Sequence, residues 1–435
     1  MKNVGGVVPK FHVVSFYPDL YGIGGPQVIL LKLAQGLRRF GVELTIVCSD
    51  TSGPLKEEFV RARVSVLEVP QYSFMSPRTL LQRYVQTVVT LRPDLLLTHD
   101  RFFGYQVPAI LRGDIPSIQI MHVDVPIQDQ EFAWIPYGHH HYSVFVGVSQ
   151  QICNKLAQLV PEVDKVRFVQ SGVELPSKDL VMRKAGGQGL IQLVTLGRLD
   201  QGHKRILDIP NIARILSHAK IPFVWHVVGT GPDESRLRSS VSDVGAGKQF
   251  IFYGAIAHSR VAEVLGRSDV IVVPSNFEGL PLALLEGMAY GCIPVISAAV
   301  ATCHPLFSLE NGLLVCETGD VQSFALAIQR VARESVSIRD QNRMKIYDLC
   351  ARVFSVEQMV CEYSKLISEL IKRSPCSSSL HPYNGTYEFP WWGTPAFPSA
   401  PFFLRRALRR YQGIGGRIYK KWFARGLRAE EMRQV

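Results

Sequence analysis

Short apolar runs alternate with longer stretches in which apolar positions recur three and four residues apart. In the first half the runs fall at 11–17, 43–48, 64–69, 95–98, 117–121, 142–148 and 166–170. Most are near-continuous in Val, Ile and Leu, which marks strands covered on both faces. Between them lie helical patterns such as 28–39, where Ile29, Leu33 and Leu37 share one face. Strand–helix alternation of this kind predicts a parallel sheet with helices on both sides.

The stretch 176–189 interrupts the rhythm. It is polar and glycine-containing (Ser177-Lys178-Asp179, then Gly186-Gly187-Gln188-Gly189) and reads as a linker. The alternation restarts with runs at 191–195, 223–228, 249–253, 270–273, 294–297 and 312–315. Residues 355–372 carry Val356, Met359, Val360, Tyr363, Ile367 and Leu370 in helical period, the pattern of a closing helix. The expected architecture is α/β. One doubly wound parallel-sheet domain covers 1–176, a linker 177–189 and a second such domain 190–354. A closing helix over 355–373 and a non-globular extension over 374–435 follow. Ligands of such sheets bind beyond the carboxyl ends of the strands, so the cleft between two facing domains is the expected site.

Composition narrows this little. Hydrophobic residues make up 47% of the chain, enough for ordinary cores. No apolar run reaches the roughly eighteen residues of a spanning helix. Residues 1–17 lack a charged-then-apolar export pattern, so a cytoplasmic location is expected. The eight cysteines are scattered without a CxxC pair, which predicts buried thiols in a reduced compartment and no zinc site. His139-His140-His141 reads as a solvated turn, because adjacent side chains diverge.

Charge matters more. The formal net charge is +11, but from Arg405 onward ten Lys/Arg face only Glu430 and Glu431, so this tail alone supplies 10 − 2 = +8. Leu404, Leu408, Tyr411, Ile418 and Trp422 recur there at helical spacing among basic residues. Residues 402–428 thus suit an anionic membrane surface, giving a protein peripheral at the cytoplasmic membrane face. A partner-binding helix or an unstructured tail fits the same pattern, and Gly413, Gly415 and Gly416 would break it in two. No nucleic-acid-binding motif accompanies it, so nucleic acid is not an expected partner.

Candidate chemistry concentrates at strand ends. Glu278 and Glu286 stand eight apart in Ser275-Asn276-Phe277-Glu278-Gly279-Leu280-Pro281, followed by a helical pattern over 282–290. Ser275 and Asn276 are helix-capping types. Glu278 is expected in the strand-to-helix loop and Glu286 about two turns into the helix, both able to face one ligand. Gly197-Arg198-Leu199-Asp200-Gln201-Gly202-His203-Lys204-Arg205 ends another strand with a basic loop suited to a diphosphate. Which of His203, Lys204 and Arg205 meets it stays open. Gly229 and Gly231 follow a strand and permit close backbone approach; so do Gly24 and Gly25, which open the first helix. His122 ends a strand of the first half.

Together these motifs resemble glycosyltransferase family 4, the retaining, nucleotide-sugar-dependent enzymes of GT-B fold with two Rossmann-like domains. The resemblance runs from about 11 to 372. Its most specific part is Glu278-x7-Glu286 followed by Met288-Ala289-Tyr290-Gly291-Cys292-Ile293-Pro294-Val295-Ile296-Ser297, supported by Ser171-Gly172-Val173-Glu174. The resemblance implies that Glu286 accepts the ribose hydroxyls and Glu278 contacts the donor sugar. Gly279 and Leu280 would lie near sugar and phosphate, with Arg198 and Lys204 holding the diphosphate. His122 would reach the donor sugar, and Gly24 and Gly25 would lie near phosphate and acceptor. It implies a hexose moved from a UDP- or GDP-sugar to a hydroxyl of a glycan or glycolipid. No DxD-type metal site is evident, so no metal or other cofactor is expected. An epimerase, or a catalytically silent nucleotide-sugar-binding protein, would share the fold. The first needs a further acid/base set, and the second sits poorly with both Glu278 and Arg198 in place.

Overall fold

The computed structural model describes residues 10–17, 24–53, 55–72, 75–100, 103–124, 130–182 and 190–373. The basic tail and its membrane reading lie outside the described residues, as do 18–23 of the first glycine loop.

Two parallel sheets form. The first contains β1 (Phe11–Phe16), β2 (Val42–Cys48), β3 (Ser65–Glu68), β4 (Leu95–His99), β5 (Ser117–Met121), β6 (Val144–Gly147) and β7 (Val166–Phe168) in the order β3-β2-β1-β4-β5-β6-β7. The second contains β8 (Ile191–Leu196), β9 (Phe223–Val228), β10 (Phe250–Gly254), β11 (Val270–Val273), β12 (Ile293–Ser297) and β13 (Leu314–Cys316) in the order β10-β9-β8-β11-β12-β13. Every residue of β4, β5, β11 and β12 is buried, as their unbroken apolar runs require. Edge strands β3 and β7 are short and partly exposed.

In each sheet the chain winds outward to one side and then returns to build the other. The reversal falls between β1 and β4 in the first sheet and between β8 and β11 in the second. The carboxyl ends of these four strands flank a crevice, where an open α/β sheet accepts ligands.

The halves are joined in several places. The closing helix, Val356–Arg373, packs along the first helix, Gly25–Leu37, so closely that a Cβ on Gly36 would sit 2.4 Å from Val360. Val173 N–H donates to the Phe354 carbonyl (2.8 Å), and Val356 N–H donates to the Val173 carbonyl (3.1 Å). The start of the predicted linker is anchored. A short helix, Lys178–Met182, ties to the helix Val336–Val353 through Lys178–Asp348 (2.8 Å), and Tyr347 donates to the Pro176 carbonyl (2.9 Å). Among the described residues no helix is long and apolar enough to cross a membrane.

Candidate active site

The loop after β8 begins with Gly197 at φ +134, a conformation that favours glycine. It lies against the loop after β9, where Gly197 N–H donates to Val228 (2.9 Å) and Leu199 N–H to Thr230 (3.0 Å). A Cβ on Gly229 would stand 1.9 Å from the Gly197 carbonyl oxygen, and one on Gly231 would stand 2.2 Å from that of Leu199. These two glycines therefore have a packing role: they seat the basic loop. Asp200 then caps a one-turn helix, Gln201–Lys204, by accepting from His203 N–H (2.9 Å), and Asp233 accepts from Gln201 N–H (2.8 Å). The turn fixes where each cation goes.

Lys204 Nζ meets Glu278 Oε1 at 2.6 Å, and His203 Nε2 lies 3.5 Å from Glu278 Oε2. The His203 ring stacks on Phe277, centroids 4.5 Å apart. Ser275 Oγ donates to Glu278 Oε1 (2.7 Å). Arg205 turns away in a left-handed conformation (φ +50) and binds Asp208 (2.7 Å) and Asn276 Oδ1 (3.1 Å). Arg198 stays largely exposed at 69%, its nearest acid being Asp200 at 3.8 Å. Burial of the Glu278 carboxyl opposes its charge, but Lys204 and His203 together outweigh that and hold its pKa down at about 2. Glu278 is thus a permanent anion at any working pH, able to accept hydrogen bonds but not to donate a proton.

The helix after this loop runs Leu282–Ala289 with Pro281 at its N-cap and no side-chain cap. The capping expected of Ser275 and Asn276 does not occur. They lie too far ahead of the helix; Ser275 holds Glu278, while Asn276 Nδ2 donates to the Gly202 carbonyl (2.9 Å) and braces the basic loop.

Glu286 sits on that helix at the wall of a cavity of about 580 Å³ between the two halves. The opposite wall includes Lys32 and Arg61, with Glu174, His258 and Tyr290 also lining it. Lys32 pairs with Glu174 at 2.6 Å. His258 Nδ1 is 3.9 Å from Glu286 Oε1. Burial without a close cation pushes the Glu286 carboxyl up to about 7.

Across the cleft, a Cβ on Gly279 would stand 1.8 Å from the His122 carbonyl oxygen, and one on Gly25 would stand 2.6 Å from Leu282. His122 and Gly279 therefore meet main chain to main chain. Gly24 is the N-cap of the first helix, extended at φ −94. Leu280 is buried beside Gly279. The structure brings His122, Gly279, Glu278 and Lys204 together at one junction and sets Glu286 in the adjoining cavity wall.

Several residues escaped the sequence reading. Asp124 pairs with Lys155, and Cys303 Sγ donates to the Glu278 carbonyl (3.4 Å). Thr302 Oγ1 donates to Gln151 Oε1 (2.8 Å) across the halves. His99 also contacts His122. A signal for it was present: neighbouring β4 and β5 end in Thr98-His99-Asp100 and Met121-His122-Val123-Asp124, each a His followed closely by an Asp. His139–His141 forms a short 3-10 turn in which His139 faces Glu162 at 3.0 Å, and no metal-binding cluster occurs among the described residues.

Two open parallel sheets with their reversal points facing a shared cleft define a two-domain GT-B glycosyltransferase fold, and known proteins agree. A solved structure of Anabaena HepE in complex with UDP and glucose superposes with a TM-score of 0.67 at 14% identity, covering 82% of this chain and 100% of that one. The family model described as Glycosyltransferase Family 4 matches residues 23–176, and that of Glycosyl transferases group 1 matches 184–348. The chain belongs to this family and is a glycosyltransferase. N-acetyl-alpha-D-glucosaminyl L-malate synthase of Bacillus anthracis is 22% identical over 82% of this chain and 97% of its own length. Lipopolysaccharide 1,6-galactosyltransferase of Escherichia coli is 26% identical over 48% of this chain. The chain spans only 56% of the latter's length, and 28% and 46% of two other curated relatives.

Proposed function

We propose that this protein moves a hexose from a UDP- or GDP-sugar to a hydroxyl of a glycan or glycolipid with retention of anomeric configuration, in the synthesis of a cell-surface polysaccharide or glycolipid. The observation that carries the reading is the junction of Glu278, Lys204 and His203 with the Gly279–His122 contact, beside a cavity walled by Glu286. The named products of the relatives, a lipopolysaccharide among them, support the acceptor class.

In this reading Glu286 accepts two ribose hydroxyls, a geometry that suits a carboxylate. Glu278, always ionised, accepts hydroxyls of the donor sugar. The Gly279 and Leu280 backbone lies along sugar and phosphate, His122 contacts the sugar from the first domain, and Gly24 and Gly25 lie near phosphate and acceptor. An ammonium carries three donors, so Lys204 keeps Glu278 on one and turns the others to the diphosphate. Arg198, with its side chain largely exposed, adds a forked contact. Negative charge grows on the diphosphate as the anomeric C–O bond breaks, and these fixed cations stabilise it there in place of a divalent metal. The acceptor attacks from the face the diphosphate leaves, through an oxocarbenium-like pair. The departing phosphate takes the acceptor's proton, so no side-chain base is required.

The test is a screen of UDP-, GDP- and ADP-sugars without acceptor, read by released diphosphate, with EDTA or Mg²⁺ present. Release from one UDP- or GDP-sugar that EDTA leaves unchanged is expected. Silence towards all of them, paired with no calorimetric binding, would sink the reading; loss of release in EDTA alone would sink its metal-independent part.

A further inference from the structure

Three adjacent strands of the first sheet end in a hydrogen-bonded chain of side chains. Ser15 near the end of β1 is fully buried, and its Oγ lies 3.0 Å from His99 Nε2. His99 ends β4 and is 3% exposed; its Nδ1 lies 2.9 Å from His122 Nε2. The two imidazoles lie near parallel, 10° apart, with centroids 5.2 Å apart, and the Tyr17 ring meets His99 edge-on. The main chain is fixed as well. His122 N–H donates to Asp100 Oδ1 (2.7 Å), and Asp100 adopts φ +42, a strained value for an aspartate. Burial keeps both imidazoles neutral, with His122 brought down to about 4.

A neutral imidazole carries one N–H, so the direction of one bond sets the others. The chain of bonds can run either way, since a hydroxyl both donates and accepts; in the direction that starts at Ser15, its Oγ donates to His99 Nε2. His99 then carries its proton on Nδ1 and donates it to His122 Nε2. His122 must in turn carry its own proton on Nδ1.

We propose that His99 is a positioning residue, backed by Ser15, that holds the His122 ring by Nε2 and fixes the Nδ1–H tautomer, so that His122 meets the donor sugar as a hydrogen-bond donor. This rests on the reading of His122 as a donor-sugar contact, but tautomer control can be measured apart from it. In water a neutral histidine favours the Nε2–H form, so the tautomer itself is diagnostic.

The experiment is ¹⁵N-histidine NMR of the full chain, with His122 assigned by its loss in His122→Gln. Wild-type protein is expected to show an Nδ1–H imidazole for His122, and His99→Phe to lose that state. His99→Gln, whose amide still donates to Nε2, is expected to restore it. Turnover should follow: His99→Phe lowers kcat by up to about a hundredfold, the scale of a catalytic contact displaced by an ångström, with a smaller change in KM. His99→Gln should recover most of the loss. An Nε2–H His122 in the wild type overturns the proposal even if no variant folds. An Nδ1–H His122 whose replacement by Gln leaves turnover unchanged removes the donor-sugar contact instead, and leaves control of the tautomer standing.

Discussion

Glu278 and Glu286 belong to one strand-to-helix segment, yet their surroundings move them in opposite directions. Around Glu278, Lys204, His203 and Ser275 converge on a carboxyl held at about 2. Around Glu286 an imidazole, His258, stands 3.9 Å away, and burial lifts the carboxyl to about 7. Two acids of the same type thus differ in charge state: one is a fixed anion, the other is poised to gain or lose a proton near neutral pH. Opposed environments of this kind are how a single fold assigns distinct roles to like residues.

The largest effect expected from breaking this contrast is at Lys204. Lys204→Ala removes the cation beside Glu278, which the proposed function also sets against the leaving diphosphate, and kcat should fall by about 10²–10³-fold, the usual cost of losing one such stabilising group. A kcat within a factor of a few of wild type, in single-turnover assays, would separate Lys204 from the chemistry.

Next comes Glu286→Ala. Two charge-assisted hydrogen bonds to ribose would go, so donor affinity should drop by at least about tenfold while kcat changes less. Unchanged affinity by calorimetry would strike out the ribose role.

A pH series sharpens the same contrast. Hydroxyls that donate to Glu286 favour its ionised form, so donor binding lowers a pKa that starts at about 7 and releases a proton. Affinity should therefore weaken roughly tenfold from pH 8 to pH 6, by linkage to that single proton. Calorimetry in buffers of different ionisation enthalpy reads the proton directly. Glu286→Gln should flatten the slope, and a slope that survives this change belongs to another group. Glu278, ionised throughout this range, contributes none.

The smallest effect is on stability in acid. A carboxyl whose folded pKa is depressed from 4.5 to about 2 stabilises the fold above pH 4.5 and loses that contribution as pH falls towards 2. Wild type should lose stability across this window more steeply than Glu278→Gln/Lys204→Met, compared by denaturant midpoints. Parallel curves would mean the pair adds nothing to folding.

Much of this was legible in the sequence. Buried parallel strands announce themselves as unbroken apolar runs, and 117–121, 223–228 and 270–273 coincide with the observed elements residue for residue. The spacing of the two glutamates also put one in a loop and one on a helix. What the sequence did not reveal are contacts between distant segments. Nothing local says that Arg205 turns to Asp208 while Lys204 turns to Glu278; the cap at Asp200 decides that. Ser275 and Asn276 are capping types by residue identity, but the five residues between Asn276 and Leu282 put both out of reach of the helix's first amides. The His99–His122 bond required knowing that β4 and β5 are neighbours, which only the strand order supplies.

The contact of Gly279 with the His122 carbonyl has a further consequence. How nearly the two halves can approach is gauged there by peptide atoms, which every substitution preserves so long as the glycine remains. Loops around the cleft can then diversify to suit new acceptors without resetting the gap in which the sugar must be handed over.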